Sequence, residues 1–352
     1  LMGAVTWKTP GFETNDLGYL READQIISVV VVGYSQWEPK WIYRTYNING
    51  DIYIVNNFGG NLTGKGFEWN GSMGLKNYWS VWTGGNLNGS SLSTGTLRGG
   101  PMMKLPGSTN ARIGFSTDYR KKLTFSVSAN GSRGWENDNW NLYSGVDISY
   151  KPTNYISFTV SPAYSKSFSE LQYVTNLTYN NTDRYIFASI DRKTISASLR
   201  VNLNLSPNLT FQYWGQPFIA TGIYYEHKYI LDPMANSYSD RFHTYTASQL
   251  TAGSDYYSID ENIDGIEDYT FGKTDFNYKA FLSNLVIRWE YSPGSSVYLV
   301  WSQTRSGYNP TGSMDYFNDM GDLFNRKLFR EDDNYNLKNV FLIKFSYRFG
   351  LK

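Results

Sequence analysis

No cysteine occurs anywhere in the chain, which excludes a disulfide framework and any thiolate-held metal. Long apolar runs are absent as well. The longest, Ile26–Val32, is broken by Ser28 and falls far short of the ~18 residues a membrane-spanning helix needs. An excess of one charge is also lacking: 32 Lys and Arg face 31 Asp and Glu, for a net +1, and they are scattered. That leaves no footprint for nucleic acid, whose phosphates demand a basic patch. Charged residues are only 18% of the total, under the ~25% of an average soluble domain. No basic-then-apolar leader opens the chain, and position 1 reads as an internal point of a longer protein.

What the chain does have is aromatic residues. Tyr, Phe and Trp make up 17%, while all hydrophobic residues together reach only 41%. For a soluble protein these figures conflict, being rich in large rings yet too polar to fill a large core. A barrel in a membrane removes the conflict, because lipid covers one face of every strand and rings collect at the two interfaces.

Two-residue alternation, the signature of a strand with two unlike faces, recurs along the sequence. Ile195, Ala197, Leu199, Val201, Leu203 and Leu205 alternate with Ser196, Ser198, Arg200, Asn202 and Asn204. Leu123, Phe125, Val127 and Ala129 alternate with Thr124, Ser126, Ser128 and Asn130. Near the end, Phe341, Ile343, Phe345, Tyr347 and Phe349 alternate with Lys344, Ser346 and Arg348. A soluble β-sandwich alternates in the same way. It is opposed by strands of ~10 or more residues, by connections of very unequal length, and by Ser, Asn and Arg recurring on the wet side.

The fold expected is all-β: an antiparallel, up-and-down transmembrane β-barrel of about fourteen strands. They are predicted at 1–9, 24–35, 39–58, 64–75, 79–91, 108–118, 121–131, 139–150, 155–168, 184–205, 208–225, 276–292, 295–308 and 338–350. Residues 1–352 form one barrel domain, incomplete at its N-terminus, and 226–275 form a long extracellular loop inserted between strands. Short turns at Tyr119–Lys121, Lys151–Asn154, Ser206–Asn208 and Ser292–Ser295 all fall at one end, as periplasmic turns do. Long loops near Gly131–Asn139, Phe168–Asp183, His227–Asp275 and Tyr308–Lys338 fall at the other. A single helix, 314–329, is expected in the last loop, with Phe317, Met320, Phe324 and Leu328 near one face, as a lid or packing element on the rim.

Several segments carry a family resemblance: PGFETNDLGYL (Pro10–Leu20), LRGGP (Leu97–Pro101), RYIFASID (Arg184–Asp191), RWEYSPGSSVYLVWSQTRSGYNP (Arg288–Pro310) and NVFLIKFSYRFGL (Asn339–Leu351). Their order and spacing resemble the C-terminal barrel domain of an uncharacterised family common in Bacteroidota. In that family the domain follows a signal peptide and a family-nine-type carbohydrate-binding module. The resemblance implies the bacterial outer membrane, with the long loops extracellular. It also implies glycans as partners through an upstream module, but no known activity.

The sharpest chemical motif is IDENIDGIED. Asp260, Asn262, Asp264 and Asp268 are spaced to wrap oxygens around Ca²⁺, with Gly265 permitting the sharp turn. The motif departs from an EF-hand because position twelve is Phe271. The competing reading is an acidic turn. His227 and His243 lie in the same loop with Glu226, Asp232 and Asp240, but no nucleophile or orienting acid is evident beside them. Arg112, Asp147, Arg200, Arg288, Glu290, Lys344 and Arg348 share the wet parity and read as bracing charges inside a barrel, or else as the lining of a weakly cationic lumen. Trp69, Trp289, Trp301 and Tyr291 read as an interfacial girdle.

Three functions follow. The first is a non-enzymatic barrel in contact with outer-membrane lipid and with other outer-membrane or surface proteins, one component of a larger cell-surface complex. The second is a channel or uptake protein for small polar solutes. The third is a surface hydrolase using loop His and Asp residues.

Overall fold

The computed structural model describes residues 1–14, 16, 18–20, 22–324 and 335–349. Strands come first in order as β1 (Met2–Lys8), β2 (Gln25–Gln36), β3 (Tyr43–Asn56), β4 (Leu62–Leu75), β5 (Ser80–Asn88), β6 (Ser91–Ser93) and β7 (Met103–Leu105). Next are β8 (Ser108–Ser116), β9 (Leu123–Gly134), β10 (Trp140–Thr153), β11 (Ile156–Tyr179), β12 (Thr182–Ser206) and β13 (Leu209–Ile230). The long connection carries β14 (Phe242–Thr244), β15 (Leu250–Ala252), β16 (Tyr256–Ile259) and β17 (Tyr269–Gly272). The chain then runs through β18 (Phe276–Ser292), β19 (Ser295–Asn309), the helix α1 (Tyr316–Phe324) and β20 (Tyr335–Ser346). Among the described residues no helix is long and apolar enough to cross a membrane.

One large antiparallel sheet dominates, in the order β1-β2-β3-β4-β5-β8-β9-β10-β11-β12-β13-β18-β19-β20, with β14 added beside β13. Its fourteen path strands are the fourteen predicted from alternation, in the same order. Sequence neighbours pair throughout, as in an up-and-down sheet. β6 and β7 form a separate hairpin, and β15, β16 and β17 a separate three-stranded sheet.

The register carries two faces across all the path strands. On one lie Val30, Ile52 and Phe67 in β2 to β4, Ile148 and Val160 in β10 and β11, and Trp289, Val297 and Phe345 in β18 to β20. Many of these side chains are well exposed, Phe341 at 75% and Phe345 at 73%. The opposite face is polar and cross-bonded over most of the sheet, while β1 and β2 put Ala4, Val29 and Val31 there. Asn47 Nδ2 donates to Ser35 Oγ at 2.6 Å, and Asn70 Nδ2 to Asn49 Oδ1 at 3.3 Å. Arg112 reaches Asn70 and approaches Glu68 at 3.5 Å. Farther round, Ser161 Oγ donates to Asp147 at 2.5 Å, and Arg288 to Glu290 at 2.5 Å. Trp289 and Tyr291 sit on the apolar face and meet edge-on at 6.0 Å.

One expectation needs correcting. Phe168–Asp183 was expected as a loop, but it is strand: β11 runs to Tyr179 and β12 starts at Thr182. Register shifts between Ser169 and Gln172, and again between Tyr173 and Thr175, disrupt the alternation that sequence reading relies on. The hairpin closes through Asn180 (φ 48°) and Asn181 (φ 56°), a pair of left-handed residues suited to a two-residue turn that follows the twist of the strands. The expected helix begins two residues late, at Tyr316, and is described as far as Phe324; 325–329 lie outside the described residues.

Candidate functional site

Where β11, β12 and β13 run on together, the ribbon is clamped from both sides. Successive residues of a strand point to opposite faces, so Ile186 and Phe187 enter different cores. Phe187 packs with Leu97, Met103 and Ile230, which brings the β6–β7 hairpin onto one side. Ile186 packs with Tyr245, Ile259 and Phe271 of the long connection, which brings the β15–β17 sheet onto the other. The connection 226–275 is therefore a folded cap with its own apolar core.

A polar network locks that cap to the ribbon. Arg184 grips Glu261 with two nitrogens, Nη2 to Oε1 at 2.9 Å and Nε to Oε2 at 3.0 Å, the paired geometry that makes Arg–carboxylate contacts strong. Tyr269 donates to Glu261 Oε2 at 2.5 Å, and its hydroxyl lies 2.9 Å from that of Tyr245. Burial pushes the Glu261 carboxyl up, but the hydrogen bonds from Arg184 and Tyr269 outweigh it and hold the group below its usual range. Gln249 Nε2 donates to the Glu261 carbonyl at 2.9 Å.

The IDENIDGIED residues sit at one edge of this network. Asp260 accepts the backbone N–H groups of Asp264 at 3.1 Å and Gly265 at 2.7 Å. Asn262 accepts from Asp264 N at 3.0 Å and donates to its carboxylate at 3.0 Å. Asp264 caps Ile266 N at 2.9 Å. Asp268 takes Glu261 N at 2.7 Å and the Tyr179 hydroxyl at 2.7 Å, so it points into the ribbon. Ile263 (φ 61°) and Gly265 (φ 86°) are left-handed, which makes the turn sharp. Among the described residues no three acidic or histidine side chains converge as a metal-holding group. Calcium separates the two uses of these oxygens. Asp260→Ala is expected to raise protease cleavage within 252–273 with or without the ion. A Ca²⁺ site would in addition make wild-type cleavage slow when calcium is added and recover in a chelator.

The histidines stand apart. His227 is 4% exposed and packs on Tyr257 at 4.3 Å and Phe271 at 5.4 Å, its Nε2 without a hydrogen-bond partner. His243 Nε2 lies 3.0 Å from Gln249 Oε1. The neighbouring acids are engaged elsewhere: Glu226 accepts from Ser189 at 2.9 Å, Asp232 from Met234 N at 3.0 Å and Asp240 from Ser239 at 3.2 Å. Neither histidine has a hydroxyl or carboxylate as hydrogen-bond partner among the described residues; Ser189, which Glu226 engages, also accepts from the buried Lys228 Nζ at 3.1 Å.

Burial, with a smaller contribution from the Lys228 charge, holds His227 at about 4, below its ordinary 6.5. Between those values the unfolded cap binds a proton that the folded cap refuses. Its stability is therefore full above pH 6.5 and declines as pH falls toward 4, by about 3 kcal/mol in all. Protection factors of 245–272, with the intrinsic pH dependence of exchange divided out, should fall at pH 5 relative to pH 7.5, and His227→Phe should remove the dependence. Equal pH dependence in both proteins would contradict this origin.

The helix is fastened separately. Asn277, Lys279 and Phe281 lie on the same sheet face as Leu285, Ile287 and Trp289, by the register of β13, β18 and β19. Lys279, 1% exposed, donates to Asp319 at 3.1 Å and Asp322 at 2.5 Å. Asn277 Nδ2 reaches Asp319 at 3.0 Å and the Ser313 carbonyl at 2.7 Å. Phe324 packs on Phe281 at 4.9 Å. The helix thus lies flat on the wall, on the side whose lower rungs are apolar. Neither clamp has a short-range sequence signal. Arg184 and Glu261, like Lys279 and Asp319, are partners separated by long stretches of chain.

These features define an all-β protein built on one large antiparallel sheet, apolar and exposed on one face, polar on the other, and carrying a locked cap. The chain belongs to the family described as Domain of unknown function (DUF5916), whose model matches residues 4–347. No curated protein matches it.

Proposed function

We propose that the sheet closes as a barrel in a bacterial outer membrane, and that the capped ribbon docks other surface proteins without chemistry of its own. The observation that carries this is the field of exposed apolar side chains on one face of all fourteen path strands, opposite a face of cross-bonded Asn, Ser, Arg and Glu. In water such a field is an aggregation liability. In lipid it is the outer wall. Strand direction alternates along the path, so β1 and β20 run antiparallel. Pairing their edges would leave no backbone groups unsatisfied in lipid. Exposed Ile263 and Ile266 on the cap turn offer the docking surface, and a role in glycan handling follows from the resemblance to proteins with an upstream carbohydrate-binding module.

The test is fractionation of the expressed protein. Recovery with outer membranes, with heat-modifiable migration on gels, is the expected result; a detergent-free soluble protein would defeat the proposal. Photo-crosslinkers at Ile263 and Ile266 should capture a surface protein in native membranes, whereas one at Leu205, by the opposite turns, should not. The polar face favours a second reading, a channel for small polar solutes. Steady single-channel conductance in planar bilayers would favour it; silent insertion would favour the docking role.

A further inference from the structure

Rung by rung, the apolar face changes character toward the cap. In β11 and β12, Val160 pairs with Leu199, Tyr164 with Ile195, Lys166 with Lys193, and Phe168 with Asp191. All of these residues share one face. Two lysines thus stand directly opposite each other at the edge of the apolar field, an arrangement that costs free energy unless an anion intervenes. Lys279, on the neighbouring part of the same face, has two aspartates. Lys166 and Lys193 have no salt bridge among the described residues; Lys166 lies 5.5 Å from the Trp140 ring.

Beside the pair is a groove of about 350 Å³ lined by Lys166, Asp191, Lys193, Thr221, Ile223 and the segment Gly312–Met314. The segment is held close by construction. Gly312 has φ 67°, and a Cβ there would meet Ile223 Cγ1 at 2.7 Å and the Gly222 carbonyl at 2.9 Å. The Ser313 carbonyl is fixed by Asn277. Asp191 is the one acid in the lining, and it accepts the Tyr225 hydroxyl at 3.2 Å, which leaves the groove with a net positive charge.

We propose that Lys166 and Lys193 bind the phosphate of a lipid headgroup, with the lipid's acyl chains lying on the rungs of Tyr164, Ile195, Val160 and Leu199. Two ammonium groups supply up to six N–H donors to a compact multivalent anion, and the greasy rungs start one step below. A soluble phosphate would have no use for those rungs. This rests on the membrane reading above.

The experiment uses the whole chain in neutral-detergent micelles doped with phosphatidic acid or, with the same acyl chains, phosphatidylcholine. Bound lipid is counted by native mass spectrometry. The wild type should retain phosphatidic acid over phosphatidylcholine, and K166Q/K193Q should lose that retention by about thirtyfold, a factor of about five per lysine. K166R/K193R should keep it. The Gln pair relieves a like-charge contact and should fold, which heat-modifiable migration checks. Equal retention by the wild type and K166Q/K193Q overturns the proposal while leaving the barrel standing. Displacement of phosphatidic acid by millimolar inorganic phosphate would make the site one for soluble phosphate and overturn the lipid assignment. A chain that stays soluble without detergent refutes the membrane reading first, before any lipid is counted.

Discussion

Phe345→Arg should all but eliminate assembled protein in the outer membrane, while Ser346→Arg, one residue along, should assemble near wild-type levels. Phe345 pairs with Val297 on the apolar face and Ser346 with Ser296 on the polar one. The phenylalanine is 73% exposed, so in the proposed barrel it faces lipid, near Ile343 and Trp301. An arginine on a lipid-facing rung costs about 2–4 kcal/mol near mid-membrane. That is a large part of the net stability of a typical domain. The same arginine on the polar face joins a wall already carrying Lys344 and Arg288. The readout is the heat-modifiable fraction in isolated outer membranes. Equal yields from the two variants would mean that the faces are assigned the wrong way round or that no lipid contacts them.

The second large effect is expected at α1. Asp319→Ala removes one of the two carboxylates on the buried Lys279 ammonium, and with it two acceptors of Asn277. Stranding a buried charge costs about 3–5 kcal/mol; Asp322 still holds Lys279 at 2.5 Å, so the loss should fall below that range. A short surface helix has too little stability of its own to absorb that. Residues 313–324 should therefore exchange amide hydrogens much faster in Asp319→Ala, with β18 and β19 little changed. The double variant Lys279→Met/Asp319→Leu should restore much of the protection, since a well-packed apolar pair can replace a buried ionic one at little cost. Unchanged exchange in the single variant would show that the Phe281–Phe324 contact alone holds the helix.

The path strands were legible because each has two chemically unlike faces, and period-two alternation records that directly. Ile195 to Leu205 could be read straight through. Legibility ended beyond Phe168 on β11, where the ribbon is covered on both sides and the bulges near Ser169 and Tyr173 shift the phase; the facing rungs of β12 from Arg184 were still read as strand. The Asn180–Asn181 turn was in plain sight, yet without alternation on either flank it looked like part of a loop. The cap was hidden for another reason. Strands of three or four residues, such as Leu250–Ala252 and Tyr256–Ile259, are too short for any period to register. At IDENIDGIED the spacing was read as a Ca²⁺ site, with an acidic turn as the competing reading, and Gly265 stands at the sharp bend that both require. That Asp268 would face Tyr179, and Glu261 would hold Arg184, depends on contacts across 89 and 77 residues of chain that no local pattern encodes.

The length of β11 sets how far this protein reaches. From Lys166 to Asn180 the chain advances fourteen residues, about 45 Å of strand at ~3.3 Å each. If the lysine pair marks the level of the lipid phosphates, most of that ribbon stands in the carbohydrate and solvent zone outside them. Stiffened from both sides by separate cores, it would act as a mast. The cap would sit beyond the headgroups, where large proteins with no access to the membrane surface could touch it. Antibodies raised against the cap should then label intact cells, and shortening the ribbon by a matched pair of residues on β11 and β12 should lower that labelling before it disturbs the barrel.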